Sequence, residues 1–501
     1  MAALFDPLAV KGVTLRNRIV ASPMCQYQAR DGLLNQWHQA HYTMLARGGA
    51  GLVIVEATAV APEGRITLGD AGLWSNEHVP GFAAVAASIK AAGSVPGIQI
   101  GHAGRKAGCT PPWEGGAPLE RSDPQAWTPV APSPQPYVPG SDYVPAELTQ
   151  EQILVTQQDF VDAAVRARQA GFEWLELHFA HGFLGQTFLS PQSNVREDQY
   201  GGPLENRARF LLETLKAVRE VWPEHLPLTM RLGVTEFGED THQSFSESLQ
   251  LLKWAKEAGL DLVDVGLALT SANDPVPWGP NFMVPYAERV RLETGLLVAT
   301  SWMITDPKEA DAFVREHKLD LVFFARTLLA NPHWPFHAAR ELGIEKPDAV
   351  LPTPYAFWLQ NWSARMGKDR AASTTLPHAA RLTTFSSIHY ILHESPVMKP
   401  VNPRDTSVHL IATVQAKPGK ETELLDALAE LVDASIAEAG CLQYALHVEP
   451  ERPGVFVFYE AWQNQAALDE HMASTHFQSF VAISGALIEG TTDIRKLTRI
   501  R

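Results

Sequence analysis

Residues 174–183 read WLELHFAHGF, a strand-like run that ends in two histidines and a glycine. Trp174–Phe179 is one of eight short β-branched or apolar runs in the chain. The others are Ile19–Met24, Leu52–Val60, Val95–Ile100, Leu228–Leu232, Leu262–Leu267, Leu296–Thr300 and Leu319–Ala325. Several are apolar almost throughout, as strands covered on both faces are. Amphipathic stretches such as Phe160–Ala170, Arg207–Val221 and Ser246–Ala258 lie between them. Eight βα units in a row, over about 340 residues, predict an α/β chain folded as a (β/α)8 TIM barrel rather than an open doubly wound sheet. No G-x-G-x-x-G follows an early strand, which argues further against a dinucleotide-binding sheet. Thr110–Pro145, rich in Pro, Gly, Trp and Ser without periodicity, reads as a long loop after the third strand, on the barrel's catalytic face.

Beyond Pro352 the periodicity dissolves among Pro354, Pro377, Pro396, Pro400 and Pro403, as a tail that becomes a linker would. A new pattern starts at Thr406. An alternating strand (His409–Ala416) precedes a helix carrying Leu424, Leu425, Leu428, Leu431, Val432 and Ile436 on one face. Strands Gln443–Glu449 and Val455–Trp462, a helix over Ala466–Leu487 and a strand Thr492–Arg499 complete it. The order βαββαβ predicts a small ferredoxin-like α+β domain. Helices on one face of such a sheet leave the other to be covered, most simply by a second copy. The expected domains are 1–362, a linker at 363–404, and 405–501.

Composition removes other classes. Of 501 residues, 45% are hydrophobic and 19% charged, which is globular and rich in core material. The net charge of −15 has the wrong sign for a nucleic-acid partner, and from Asp405 onward acids outnumber bases 14 to 7. No apolar run approaches the ~20 residues of a membrane span. The start, MAALFDPLAVKG, lacks the pattern of a signal peptide. Three scattered cysteines, Cys25, Cys109 and Cys441, suit a cytoplasmic setting and make no zinc or iron–sulfur ligand set.

In a TIM barrel the reacting groups lie at the C-terminal strand ends. Those ends here are Ser22-Pro23-Met24-Cys25-Gln26-Tyr27, Glu56-Ala57-Thr58, Gln99, His178-Phe179-Ala180-His181, Arg231, Ser301-Trp302-Met303 and Ala325-Arg326. His178 and His181 can both face the mouth, as metal ligands or as donors to a carbonyl oxygen on which charge develops. No His-x-His on the first strand and few capping carboxylates weigh against a metal.

SPMCQY, GIQIGHAGRK, LHFAHGF, YGGPLENR and ITDPKEA, in register over roughly residues 3–362, resemble the Old Yellow Enzyme family of FMN-dependent ene-reductases, in the branch of the xenobiotic reductases. The resemblance implies bound FMN, reduced by NADPH or NADH, and hydride transfer to an enone, quinone or related xenobiotic. It implies FMN contacts at Ser22, Pro23, Met24, Cys25, Ala57, Gln99, Arg231, Met303, Ala325 and Arg326, with Arg326 at the phosphate. Substrate contacts fall at Tyr27, His178, His181, Phe183, Trp302 and Trp358, and Cys25 tunes the flavin. Catalytic roles fall to His178, His181, Tyr27 and Cys25; no metal is implied. Three positions depart from the pattern. Phe183 stands where most relatives have a proton-donating Tyr, and Trp302 and Ala325 stand where many have Gly. Trp358 is expected to bring a second indole to the pocket.

KPGKETELL, AGCLQYALH, FVFYEAWQNQAALDEHMAS and THFQSF resemble the antibiotic-biosynthesis-monooxygenase domain, which includes cofactor-free quinol oxygenases. Trp462, His471 and His476 are its candidate residues. Five apart on one helix, the two histidines would not share a face. The leading reading is therefore a cytoplasmic FMN-dependent NAD(P)H oxidoreductase acting as a homo-oligomer. One alternative adds quinol oxygenation by the small domain; another makes that domain a dimerisation module. A metal-dependent hydrolase is the remote fourth.

Overall fold

The structure, a computed structural model, describes residues 2–238, 241–362, 407–448, 452, 454–490 and 492–497. The linker expected at 363–404 lies outside the described residues. Two compact units separate in the chain.

The first opens on a hairpin, β1 (Leu8–Val10) and β2 (Val13–Leu15). It is followed by barrel strands β3 (Ile19–Ala21), β4 (Leu52–Ala59) and β5 (Val95–Gly101). A short pair, β6 (Val130–Ala131) and β7 (Ala146–Glu147), interrupts them. Strands β8 (Trp174–Phe179), β9 (Leu228–Gly233), β10 (Leu262–Gly266), β11 (Leu297–Thr300) and β12 (Leu321–Phe324) finish the set. The eight barrel strands pair in parallel and close, β12 returning to β3. Every residue of β8, β9 and β10 is buried, which is what an inner ring wrapped by helices requires. All eight sequence-derived strands are present.

The hairpin was not legible as a separate element. Val10, Val13 and Leu15 pack with Val20, Leu52, Trp174, Leu262 and Leu321 in one buried cluster, so it plugs the N-terminal end of the barrel. Gly12 makes its turn: the N–H donates to His225 O (2.8 Å), and a Cβ there would stand 2.9 Å from the same oxygen.

Arg196 pins the long loop after β5. It donates to Pro132 O (2.9 Å) and Leu148 O (2.6 Å), and to both oxygens of Asp198 (2.9 and 2.6 Å). That guanidinium holds the Asp198 carboxyl well below its usual range. Arg196→Ala should therefore cost about 2–3 kcal/mol, read as a lower melting temperature, by leaving two carbonyls unpaired. Because the Asp198 pKa is depressed on folding, its share is present above an ordinary carboxylate pKa of about 4. It is lost only as pH falls below that.

After Pro352, residues 353–362 are helical rather than irregular. The prolines sit at the start, where a missing N–H costs nothing, and Pro352 O accepts from Tyr355 N (2.9 Å) and Ala356 N (3.0 Å).

The second unit has four antiparallel strands, β13 (Val408–Gln415), β14 (Cys441–Val448), β15 (Val455–Trp462) and β16 (Asp493–Leu497), in the order β14-β15-β13-β16. This is the ferredoxin-like order expected. Leu424 and Leu428 of the helix Glu421–Ile436 are wholly buried against Val414, Tyr444, Phe456, Phe458 and Trp462. The single helix read over Ala466–Leu487 is two, Gln465–Ala473 and Thr475–Leu487. Ser474 is extended (φ −65°, ψ 153°), and its Oγ accepts from Phe477 N (3.3 Å) to cap the second. Among the described residues no helix is long and apolar enough to cross a membrane.

Candidate active site

Strand register decides which polar side chains meet inside the barrel. Gln99 pairs with Glu176 across β5–β8, His178 with Arg231 across β8–β9, and Arg231 with Asp264 across β9–β10. Gln99 Nε2 donates to Glu176 Oε1 (2.8 Å). Arg231 Nε lies 3.0 Å from Asp264 Oδ2, and Nη2 donates to Ser301 Oγ at the end of β11 (3.1 Å). Glu176 and Asp264 are fully buried. Burial raises the pKa of each; the charge of Arg231 opposes it, and for Glu176 the nearby Asp264 adds to the rise. One guanidinium thus serves two carboxyls that cannot both ionise cheaply in a dry interior. The sequence reading named Gln99 and Arg231 and passed over Glu176 and Asp264. A lone acid within an apolar strand run was the available signal.

Next to Arg231 in strand register stands the first of the two histidines. His178 is 3% exposed, and its ring centroid lies 5.0 Å from His181 and 4.9 Å from Phe183. His181 in turn lies 5.7 Å from Trp302. Among the described residues His178 Nδ1, His181 Nε2 and Trp302 Nε1 are buried without hydrogen-bond partners. Burial first, then the charge of Arg231, pushes both imidazoles well below the usual histidine range, so both are neutral at pH 7.

Backbone strain concentrates here. Tyr27 (φ 53°), His181 (60°), Trp302 (65°) and Met303 (63°) are all in the left-handed region, where non-glycine residues are uncommon. The turn holding Cys25 and Tyr27 is tied by Glu56, wholly buried, which accepts from Gln26 N (2.7 Å) and Tyr42 OH (3.0 Å). A register shift between Val55 and Thr58 in the β4–β5 pairing coincides with Glu56 and Ala57. Burial pushes the Glu56 carboxyl up to about 8 and raises the Cys25 thiol and Tyr27 phenol.

The long loop does lie over this face: Trp113 meets Tyr27 edge-on at 5.7 Å. Tyr137 from the same loop lies 3.9 Å beneath Lys106 Nζ, which donates to His181 O (2.6 Å) and stands 5.9 Å from the Phe183 ring. Burial, then Arg105, lowers the Lys106 ammonium to about 7. Lys106 lies within the quoted GIQIGHAGRK motif, yet had no assigned role.

Two expectations separate here. Trp302 lies in an aromatic cluster with His181 and Phe282, but the second indole beside it is Trp278, at 5.8 Å, from the loop after β10. Trp358 is 71% exposed and contacts Phe357, because the helix at 353–362 carries it outward. Within one chain it does not join the cluster. Ser22 is buried and hydrogen-bonded to Phe324 O (3.0 Å), while Pro23 and Met24 beside it are half-buried. Ala325 is half-buried, and Met303 and Arg326 are exposed at the ends of β11 and β12.

Residues 3–345, more than half the chain, match the model of the NADH:flavin oxidoreductase / NADH oxidase family. The chain belongs to this family. The barrel of this Old Yellow Enzyme relative is accordingly that of an FMN-dependent oxidoreductase. NADPH dehydrogenase of Bacillus velezensis is 43% identical over 350 residues, 69% of this chain and 97% of its own length. Morphinone reductase in complex with tetrahydroNAD aligns at TM-score 0.56 and 27% identity, covering 68% of this chain and 90% of that one. 2-Naphthoyl-CoA reductase aligns at TM-score 0.60 and 25% identity over 70% of this chain, which spans about half (53%) of that longer protein. Residues 407–483 match the antibiotic biosynthesis monooxygenase family.

The side chains present suit FMN. Arg231 Nε is buried without a well-aligned acceptor. Its strand neighbour His178 and the nearby His181 and Trp302 each carry a buried nitrogen without a partner among the described residues, and the amide of Gln99 joins the same barrel interior through Glu176. A polar, heteroatom-rich ring system would satisfy such groups where a hydrocarbon would leave them orphaned.

Proposed function

We propose that the barrel reduces activated C=C bonds of enones, quinones and related xenobiotics, with NADPH or NADH as reductant. When bound, FMN supplies the hydride from its N5 position. Gln99 and Arg231 would hold the ring system, the latter setting a fixed positive charge beside it. Ser22, Pro23, Met24, Cys25 and Ala57 would line one side, with Cys25 tuning its redox behaviour. Met303, Ala325 and Arg326 would receive the phosphate.

The observation that carries the reading is the pair of neutral, buried imidazoles, each with a ring nitrogen that has no partner among the described residues. Each has an N–H to donate, and two donors fixed toward one carbonyl oxygen stabilise the negative charge that develops there. Trp302 and Trp278, 5.8 Å apart and tilted by 46°, form an aromatic corner whose ring faces suit planar or cyclic substrates. Phe183 has no proton to give, so Tyr27, kept protonated by burial, takes that role in this reading.

Anaerobic mixing tests it. Addition of NADPH should bleach the yellow protein, and a cyclic enone or quinone should restore the colour; a protein that stays yellow with NADPH and NADH alike sinks the proposal. Phe183→Tyr should raise single-turnover reduction of a cyclic enone about tenfold or more, as a placed general acid does. An unchanged rate would show that another group already donates. The open face of the second unit's sheet, carrying Ile411, Val457 and Tyr459, supports a homo-oligomer, checked by light scattering. A cytoplasmic setting agrees with three free cysteines.

A further inference from the structure

The break at Ser474 brings together what a continuous helix would keep apart. His471 closes one helix and His476 opens the next, and both turn to a third element, the segment after the helix Glu421–Ile436. There Glu438 Oε1 lies 2.6 Å from His471 Nδ1 and 2.7 Å from His476 Nε2. The expectation that the two histidines do not share a face is thus overturned by the cap, not by the spacing.

His471 is built as a fixed ligand. It is 1% exposed, stacked on Trp462 (4.4 Å, 30°) and flanked by Tyr444 (5.4 Å) and Phe477 (4.9 Å). The ring cannot swing away, and its Nδ1 faces Glu438. Its Nε2 is buried with no hydrogen-bond partner among the described residues. Read as hydrogen bonds alone, the cluster sets two imidazoles on one carboxylate oxygen, with Ser474 Oγ 3.1 Å from the same His476 nitrogen. Three ligand atoms, one from each residue, thus converge within 4.8 Å of one another. Side-chain exposures of 20% for Glu438 and 29% for His476 leave the open side reachable from water.

We propose that Glu438, His471 and His476 form a binding site for a divalent transition-metal cation in the second unit, separate from the flavin chemistry. Two imidazoles and one carboxylate are a recurrent three-ligand set that keeps a further coordination position open. The nitrogen-rich set selects a zinc- or iron-class ion over calcium or magnesium, which prefer oxygen ligands. Bonds of about 2.0–2.2 Å require the three atoms to spread somewhat from their present contacts. Glu438 and His476, both partly exposed, have room to do so around the fixed His471. The acidic surplus of this unit, 14 to 7 from Asp405 onward, favours cation entry.

The test is titration of the full-length flavoprotein with Co2+ after chelator treatment, followed above 550 nm, clear of flavin absorption. One equivalent should produce ligand-field bands, and Zn2+ should abolish them. His476→Ala, at the more exposed ligand, should weaken binding roughly a hundredfold or more, beyond what loss of a supporting contact costs. Glu438→Gln should do likewise, and flavin absorbance reports that the barrel is intact. No saturable bands, or bands equally strong in His476→Ala and Glu438→Gln, would overturn the site and leave a hydrogen-bonded cluster only.

Discussion

Arg231→Met should yield a protein that purifies with little or no FMN and melts well below the wild type. Arg231 is 6% exposed and touches Asp264 and Ser301, while Glu176 stands in the same layer through Gln99. Without the guanidinium, two wholly buried carboxyls keep no cation, and breaking such a set by removing one partner costs about 3–5 kcal/mol. Protonation relieves part of that. Each carboxyl already has a folded pKa above its ordinary value, so folding takes up protons and its stability falls as pH rises through that window. Loss of Arg231 raises both pKa values further. The variant's deficit should therefore be smaller at pH 5 than at pH 8, measured by melting at both values. The ratio of flavin to protein absorbance reports the cofactor separately. A variant that keeps full FMN and an unchanged melting temperature would show that Arg231 serves neither purpose.

The barrel was legible because its signal is periodic and local. Eight apolar runs are spaced by amphipathic stretches, and each run buried on both faces declares itself by composition. The strand-end residues followed, since the fold fixes which end reacts. What escaped were features made by tertiary contact. Glu176 and Asp264 look like isolated acids in a linear reading; only register sets them about one arginine. Trp278 and Trp358 are equally aromatic and equally within loop or tail sequence, and nothing local tells which indole meets Trp302. The small domain shows the same limit at a single residue. Ser474, followed by Thr475 and His476, is a helix-capping residue, and that signal could have split the long helix and joined His471 to His476.

His178→Ala should lower kcat for a cyclic enone by about 10²–10³-fold while KM changes far less. The reasoning turns on when the contact matters. A neutral imidazole donates only modestly to a ground-state carbonyl, but more strongly as that oxygen gains charge, in a site 3% exposed at His178. Substrate binding then survives the substitution better than turnover. His181→Ala should behave alike, and the double variant should lose less than the product of the two, because the donors act as a unit. His178→Asn, which restores an N–H, should recover part of the rate, a rescue that mere cavity filling would not produce. The pH profile supplies a second reading. Burial and Arg231 hold both rings below the usual histidine pKa, so neither gains a proton between pH 6 and 9 and neither imposes a break there. A break near pH 6.5 in the wild type that vanishes in His178→Asn would mean that His178 titrates, and that an imidazolium, not a neutral donor, meets the substrate oxygen.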